Sequence, residues 1–301
     1  MPASPRPSPR DVKTVVEPTD PEAFRYYKSL FRRYPSQPSE EIFAFFPYGR
    51  KQRETWLAPF QQLANIAKPE SWNFQREEFR KKENDVPILI NYLNFTFIRL
   101  LQQNKVHVFD DRACFNTGLQ TAQEKDIYAV FSKNRKETAE EWYFNGWVDS
   151  YDLKLDAFRA SLPTIASYAE DISDLFFDVS YDIDINIRHI VDDPKNRERL
   201  PVSIRDNAKL AMSAIQNEVR AFKDRCIRNY KLAVPCWYPA HSKVQLLLPV
   251  YIDKRTQADL ALVADKDKPN KLYRIRTALT MDMAYSNARL ITHPNQVWLN
   301  P

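Results

Sequence analysis

Glycine scarcity constrains this sequence more than any other feature. Only three glycines, Gly49, Gly118 and Gly146, occur in 301 residues, and each stands alone. A dinucleotide-binding turn needs three clustered glycines and a Walker-type phosphate loop needs two, in each case leading into a helix. The chain offers neither, and the Gly-x-Ser-x-Gly and His-Glu-x-x-His patterns are absent as well. Gly118 lies in the stretch "FNTGL", beside Asn116 and Thr117. A glycine there can take positive φ and expose successive backbone N–H groups as an anion or ribose site. Equally, it can relieve strain in a simple turn or bulge.

The surrounding pattern sets the fold class. After Pro87, the positions Ile90, Leu93, Phe97, Leu100 and Leu101 recur at helical spacing. Four runs rich in Val, Phe, Tyr and Trp follow, in "KVHVFDD", "ACFNTGL", "DIYAVFSKN" and "EWYFNGWV", and predict a small sheet. In "DVSYDIDINIRHIV", Ile183, Ile185 and Ile187 alternate, which predicts a half-buried strand with His189 on the isoleucine face. From Ile204, the positions Ala208, Ala211, Ile215, Val219, Phe222, Cys226 and Tyr230 predict one long amphipathic helix. Arg205, Lys209, Arg220, Lys223 and Lys231 form its adjoining basic stripe.

Three more runs, "KVQLLLPVYI", "ADLALVAD" and "LYRIRTAL", read as strands, with Pro249 ending the first or marking an edge. "TMDMAYSNARLI" reads as a closing helix. Without regular βαβ alternation, this order predicts an α+β fold: small antiparallel or mixed sheets packed with the long amphipathic helix and the C-terminal helix. The expected organisation is a disordered Pro/Ser/Arg-rich tail over residues 1–20, a helical lead-in over 21–84 and a main α+β domain over 85–301. Short helices are expected in "TDPEAFRYYKSLF", "SEEIFAFF" and "RETWLAPFQQLANIA".

Composition narrows compartment and chemistry. Cys114, Cys226 and Cys236 make no C-x-x-C pair and lie in apolar contexts, so reduced thiols in the cytoplasm are expected. No run approaches the roughly 20 apolar residues of a membrane span, and the start has no secretory h-region. The four histidines are scattered, and the calcium-loop mimic "DIDINIRHIVDD" has Ile187 where the sharp turn requires glycine. No metal and no cofactor are therefore expected. Charge is segregated: residues 149–193 hold 11 Asp/Glu against 3 Lys/Arg, whereas residues 194–243 hold 11 Lys/Arg against 4 Asp/Glu. The basic segment can attract phosphate backbones, or the two segments neutralise each other in the fold.

Several polar side chains are candidates for a site. His189, with Asn186, Asp192 and Asp193 nearby, is suited to acid/base work or is a hydrogen-bonded structural histidine. Arg197 and Arg199 suit bidentate phosphate or carboxylate contacts, or surface salt bridges. Asp282, Tyr285 and Arg289 recur along the last helix with Asn287 off that line, either a polar strip beside a cleft or a salt-bridged terminal helix.

The ordered segments "PILINYLNFTFIRL", "FNTGL", "IYAVFSKN", "HIVDDPKNRERLP", "VQLLLPV", "ADLALV" and "MAYSNARLI" closely resemble a mostly bacterial family, that of the domain of unknown function 3825, over about residues 85–301. Some members look to be joined to cold-shock or helix-turn-helix modules, so the resemblance implies an RNA-related role by association. It adds weight to Asn116, Thr117, His189, Arg199, Asn287 and Arg289 as a shared polar set.

The expected function is an RNA-associated protein gripping phosphate or nucleotide. Arg205, Lys209, Arg220, Lys223 and Lys231 would meet the backbone, while Asn116, Thr117, Gly118, Asn186, Arg197, Tyr285 and Asn287 would meet substrate. Cleavage or end processing would use His189 as acid/base and Arg199 or Arg289 against phosphate charge, and the sequence leaves open whether any reaction occurs. The alternatives are a nucleotide-binding sensor and a protein-interaction module that docks a partner through residues 21–84, with Trp56, Trp72, Phe74 and Phe79 as anchors.

Overall fold

The computed structural model describes residues 13–14, 27–47, 56–74, 86–135, 140–253, 256–294 and 298–299. The architecture is α+β, with one sheet in each of two compact units: residues 1–73 with 81–167, and residues 74–80 with 168–301. The expected tail lies outside the described residues, apart from Lys13–Thr14. Phe79 lies outside them too.

In the first unit, β1 (Lys13–Thr14), β2 (Ala44–Phe45), α1 (Ala58–Ile66) and α2 (Pro87–Gln102) precede a meander. Its strands are β3 (His107–Phe109), β4 (Arg112–Gln120), β5 (Asp126–Lys133) and β6 (Trp142–Asp149). The sheet order is β1-β3-β4-β5-β6-β2, antiparallel except where β2 runs parallel to β6. Pro at the first turn starts both α1 and α2, where a missing N–H costs nothing.

The middle of β4 and β5 is buried on both faces, so these two strands read as near-continuous apolar runs. On one face Phe97 of α2 packs against Phe115 of β4, and Phe43, Phe131, Trp142 and Phe144 extend this aromatic layer. On the other face Cys114, Tyr128, Val130 and Val148 meet Leu155 and Phe158 of a 3-10 turn, Leu153–Phe158.

Two bulges set this division, and a glycine sits in each. At Gly146 (φ 138°), the register slips between Val130 and Phe131, so Trp147 returns to the aromatic face with Phe144 while Val148 joins the opposite cluster. Unbroken alternation would send Trp147 and Val148 each to the other side. Gly118 (φ 75°) lies in the second slip, between Asn116 and Gln120. A Cβ there would stand 2.6 Å from the Tyr92 hydroxyl. Glycine is therefore required twice over, for its backbone and for the approach of Tyr92. Elsewhere left-handed turn positions fall to other residues, among them Asp110, Glu124 and Lys271.

The lead-in is built differently from the sequence expectation. "SEEIFAFF" is a 3-10 turn, Ser39–Glu41, followed by β2 rather than a helix. Within "TDPEAFRYYKSLF" only Tyr27 onward is described, and it is not helical: Ser29 bridges Ile42, and the N–H groups of Lys28 and Ser29 donate to Glu41 O. Packing overrides helical propensity here, because Ile42, Phe43 and Ala44 are all fully buried and Phe43 O accepts from Trp142 N–H. Residues 27–47 and 56–73 thus supply core and an edge strand to the first sheet.

The second unit contains β7 (Asp182–Ile185), α3 (Ile187–Asp192), α4 (Pro194–Arg197), α5 (Val202–Arg205) and α6 (Ala208–Arg228). After these come β8 (Val234–Tyr238), β9 (Lys243–Val250), β10 (Leu260–Asp267), β11 (Leu272–Leu279) and α7 (Met281–Arg289). The sheet order is β7-β11-β10-β9-β8, antiparallel except for β7 beside β11. Its central strands are aliphatic, and Leu246, Leu247, Leu248, Leu260, Ala261 and Leu262 are each at most 1% exposed. Pro249 lies inside β9, opposite Ala261 and past the Val234–Leu247 pair that ends β8, so the strand is locally an edge there.

Candidate nucleic-acid interface

The predicted polar set is divided between the units. Asn116, Thr117 and Gly118 belong to the first, and their polar groups serve the bulge. Asn116 Oδ1 accepts from Gly118 N–H at 2.9 Å, and its Nδ2 donates to Asp126 at 3.1 Å. Thr117 Oγ1 donates to Ile127 O at 2.7 Å and accepts from Leu119 N–H at 3.2 Å, while the Tyr92 hydroxyl donates to Thr117 O at 2.9 Å. Asn116 and Thr117 are both buried.

In the second unit the isoleucine alternation breaks at Asn186. The strand stops at Ile185 because Asn186 caps α3, its Oδ1 accepting from His189 N–H at 3.1 Å. His189 therefore stands exposed on a helix, not on a strand's isoleucine face, and the inward positions are Ile190 and Val191. A second cap follows at once: Asp193 Oδ1 accepts from Asn196 N–H at 2.9 Å, with Pro194 at the first turn of α4.

The neighbouring arginines tie this segment together. Arg199 Nη1 donates to Asn196 Oδ1 at 3.1 Å and to Ala278 O of β11 at 2.8 Å. Arg197 Nε donates to Arg205 O at 3.1 Å, with Asp206 at 3.6 Å. Arg205 in turn donates twice to Leu200 O, at 2.8 and 3.0 Å. Its guanidinium closes the α4–α5 turn and so is not part of a stripe along α6. The expected single helix from Ile204 is broken at Asp206, and Asn207 caps α6 by accepting from Leu210 N–H.

α7 turns the expected strip inward. Ala284, Tyr285, Ala288 and Arg289 form its buried face, packed toward β8 and β10, while Met283 is exposed and Asn287 half-buried. Tyr285 meets Phe74 edge-on, with ring centroids 5.4 Å apart. Two alanines let the helix approach closely, which is why the long polar residues beside them are covered.

What remains exposed is the outer side of α6. Ala211, Ile215, Phe222 and Cys226 are buried as periodicity predicts. Lys209 and Arg220 face solvent, and among the described residues neither they nor Lys231 has a carboxylate within 4.0 Å. Lys223 reaches Asp182 at 3.6 Å. Tyr230, expected on the buried face, lies beyond the helix end and is 63% exposed. Its ring lies 6.5 Å from that of Phe176, itself 47% exposed, and the Lys231 ammonium sits 5.9 Å from the Tyr230 centroid. Sequence reasoning missed this aromatic pair, because 3/4 spacing placed Tyr230 inside and Phe176 is remote in the chain. The Asn229 cap, which ends α6 one residue earlier, was the available signal.

Such a surface has defined chemical capacities. Exposed cations on a helix side neutralise phosphates, and adjacent open rings accept stacked bases. No helix among the described residues is long and apolar enough to cross a membrane. A family profile described as Domain of unknown function (DUF3825) matches residues 63–298, beginning within α1 and thus earlier than the motifs alone indicate. No curated protein and no solved structure matches the chain.

Proposed function

The chain belongs to the DUF3825 family, and from that premise we propose that it is an RNA-associated protein that holds single-stranded RNA along the outer side of α6. Phosphates lie against Lys209, Arg220, Lys223 and Lys231, and bases stack at the Phe176–Tyr230 pair. The observation that carries this reading is the exposed Tyr230 ring with Lys231 beside it and Phe176 within 6.5 Å, at the end of a helix bearing unneutralised cations. Aromatic faces accept any base, and cations along a groove or ridge follow the backbone, so the binding is tolerant of sequence. His189, exposed on α3 in the same unit, is the group for any accompanying acid/base step.

The test is binding of a labelled oligouridine over a salt series, with RNA ends examined afterwards. Affinity should fall linearly on a double-logarithmic plot, by about 0.7 in slope for each phosphate neutralised on a single strand. Lys209→Ala, Arg220→Ala and Lys231→Ala together should flatten the slope by about 2. Tyr230→Ala should weaken binding about fivefold or more at every salt concentration, as loss of a stacking face does. Altered ends that disappear in His189→Ala would add a cleavage step. Failure to bind at low salt would sink the RNA reading.

A further inference from the structure

The first unit contains a cavity of about 490 Å³ that the RNA reading does not use. Its wall is aromatic: Phe45, Phe46, Trp56 and Phe60 line it, with Tyr34 at its margin. Phe46 stacks on Phe60 and Phe144, at 5.5 and 4.3 Å, so the inner rings are held by the core. Trp56 and Tyr34 are 49% and 52% exposed, and their faces are available to a visitor. The volume is that of a small-molecule site.

Charge decides among aromatic-binding ligands. Glu140 is buried in the lining, but the Arg32 guanidinium already neutralises it at 2.6 Å and also donates to Ser39 at 2.8 Å. Arg33 adds a second guanidinium, held by Asn91 Oδ1 at 3.0 Å and 5.9 Å from the Phe95 centroid. Desolvation lowers its pKa from the usual arginine value, and among the described residues no carboxylate stands within 4.0 Å. Among the described lining residues, Arg32 and Arg33 thus stand against Glu140 alone, an excess of one positive charge. A quaternary ammonium, the other common guest of aromatic walls, would meet repulsion from Arg33 and find Glu140 already paired.

We propose that this cavity binds a nucleoside monophosphate, with the base against Trp56 and the inner phenylalanine rings and the phosphate at Arg33. The site is separate from the α6 surface and stands or falls independently of it.

The test uses the full chain and titrates adenosine monophosphate, adenosine, inorganic phosphate and choline, followed by calorimetry. The monophosphate should bind at least tenfold tighter than adenosine, with phosphate weaker still and choline silent. Arg33→Gln should bring the monophosphate down to the adenosine level. Trp56→Ala should weaken the monophosphate and adenosine alike, about tenfold. Both substitutions change partly exposed side chains, and Tyr34→Ala offers a third at the margin. Binding should persist in the Lys209, Arg220 and Lys231 triple variant. The proposal is overturned if choline binds in place of the nucleotide, if no ligand binds, or if Arg33→Gln and Trp56→Ala leave affinity unchanged.

Discussion

The two sheets are closed by different side chains, and the difference explains where each unit can carry a site. One face of the first sheet is covered by interlocked rings, and a cavity lies at their margin beside Trp56 and Phe60. The second has central strands of leucine, valine and alanine, which fill space evenly, and its buried rings form a smaller cluster at Phe177, Phe222 and Tyr273. Its distinctive chemistry therefore lies on its outer surface, in α6 and in the ion pairs of its sheet end, such as Arg274 with Asp267 at 2.7 Å.

The sharpest break in this comparison is removal of a central ring. Phe43→Ala should cost about 3–5 kcal/mol, because Phe43 is fully buried against Phe97, Phe131 and Trp142. Leu247→Ala is the counterpart in the second sheet, at about 2–5 kcal/mol. Hydrogen exchange should locate the first loss in residues 27–167 and the second in residues 168–301. A loss at Phe43 near zero would remove the lead-in from the core.

Gly118→Ala comes next, at about 2 kcal/mol. An L-residue at positive φ costs about 1–2 kcal/mol, and displacing the Tyr92 hydroxyl loses a buried hydrogen bond besides. Urea denaturation measures it, and Tyr92→Phe in the same background should lessen the added penalty if the hydroxyl is the obstacle.

Opposite in sign and smaller, Glu124→Gly in the first unit and Lys271→Gly in the second should each stabilise by about 0.5–1 kcal/mol, since both hold left-handed backbone without being glycine. A rise in the thermal midpoint checks this.

The least effect is expected from acid on the second unit's surface carboxylates. Hydrogen bonding from Lys268 and Ser173 holds the Asp171 carboxyl below its usual range, and Asn270 and Arg274 do the same for Asp267. A depressed folded-state pKa means stability that is present above the unfolded value near 4 and is lost as pH falls below it. The loss should appear in exchange of residues 168–301 below pH 4 and shrink in high salt, because these groups are exposed.

Long, strongly patterned elements were legible in the sequence. α2, the four-strand meander, the buried face of α6 and the strands β9, β10 and β11 follow from apolar spacing, and so does the α+β class, whereas β8 was not expected. Boundaries decided by single caps were not. Alternation through Ile187 concealed the Asn186 cap that turns His189 onto a helix, and the run from Ile204 concealed the break at Asn207. In α7 the strip with Tyr285 and Arg289 lies on the buried face, because Ala284 and Ala288 beside them carry little hydrophobic signal yet allow close packing.

By itself, then, the sequence determined which of the long patterned segments become helix or strand and that no glycine-rich phosphate loop exists, because periodicity and glycine content act locally. Only the tertiary structure decided which polar groups stay exposed. The bulge at Gly118 occupies Asn116 and Thr117, β11 occupies Arg199, the end of α6 releases Tyr230 beside Phe176, and Glu140 closes the cavity that the rings around Trp56 line. Arg199, Tyr230 and the cavity each depend on a partner far along the chain, at Ala278, Phe176 and Glu140, which no local pattern encodes.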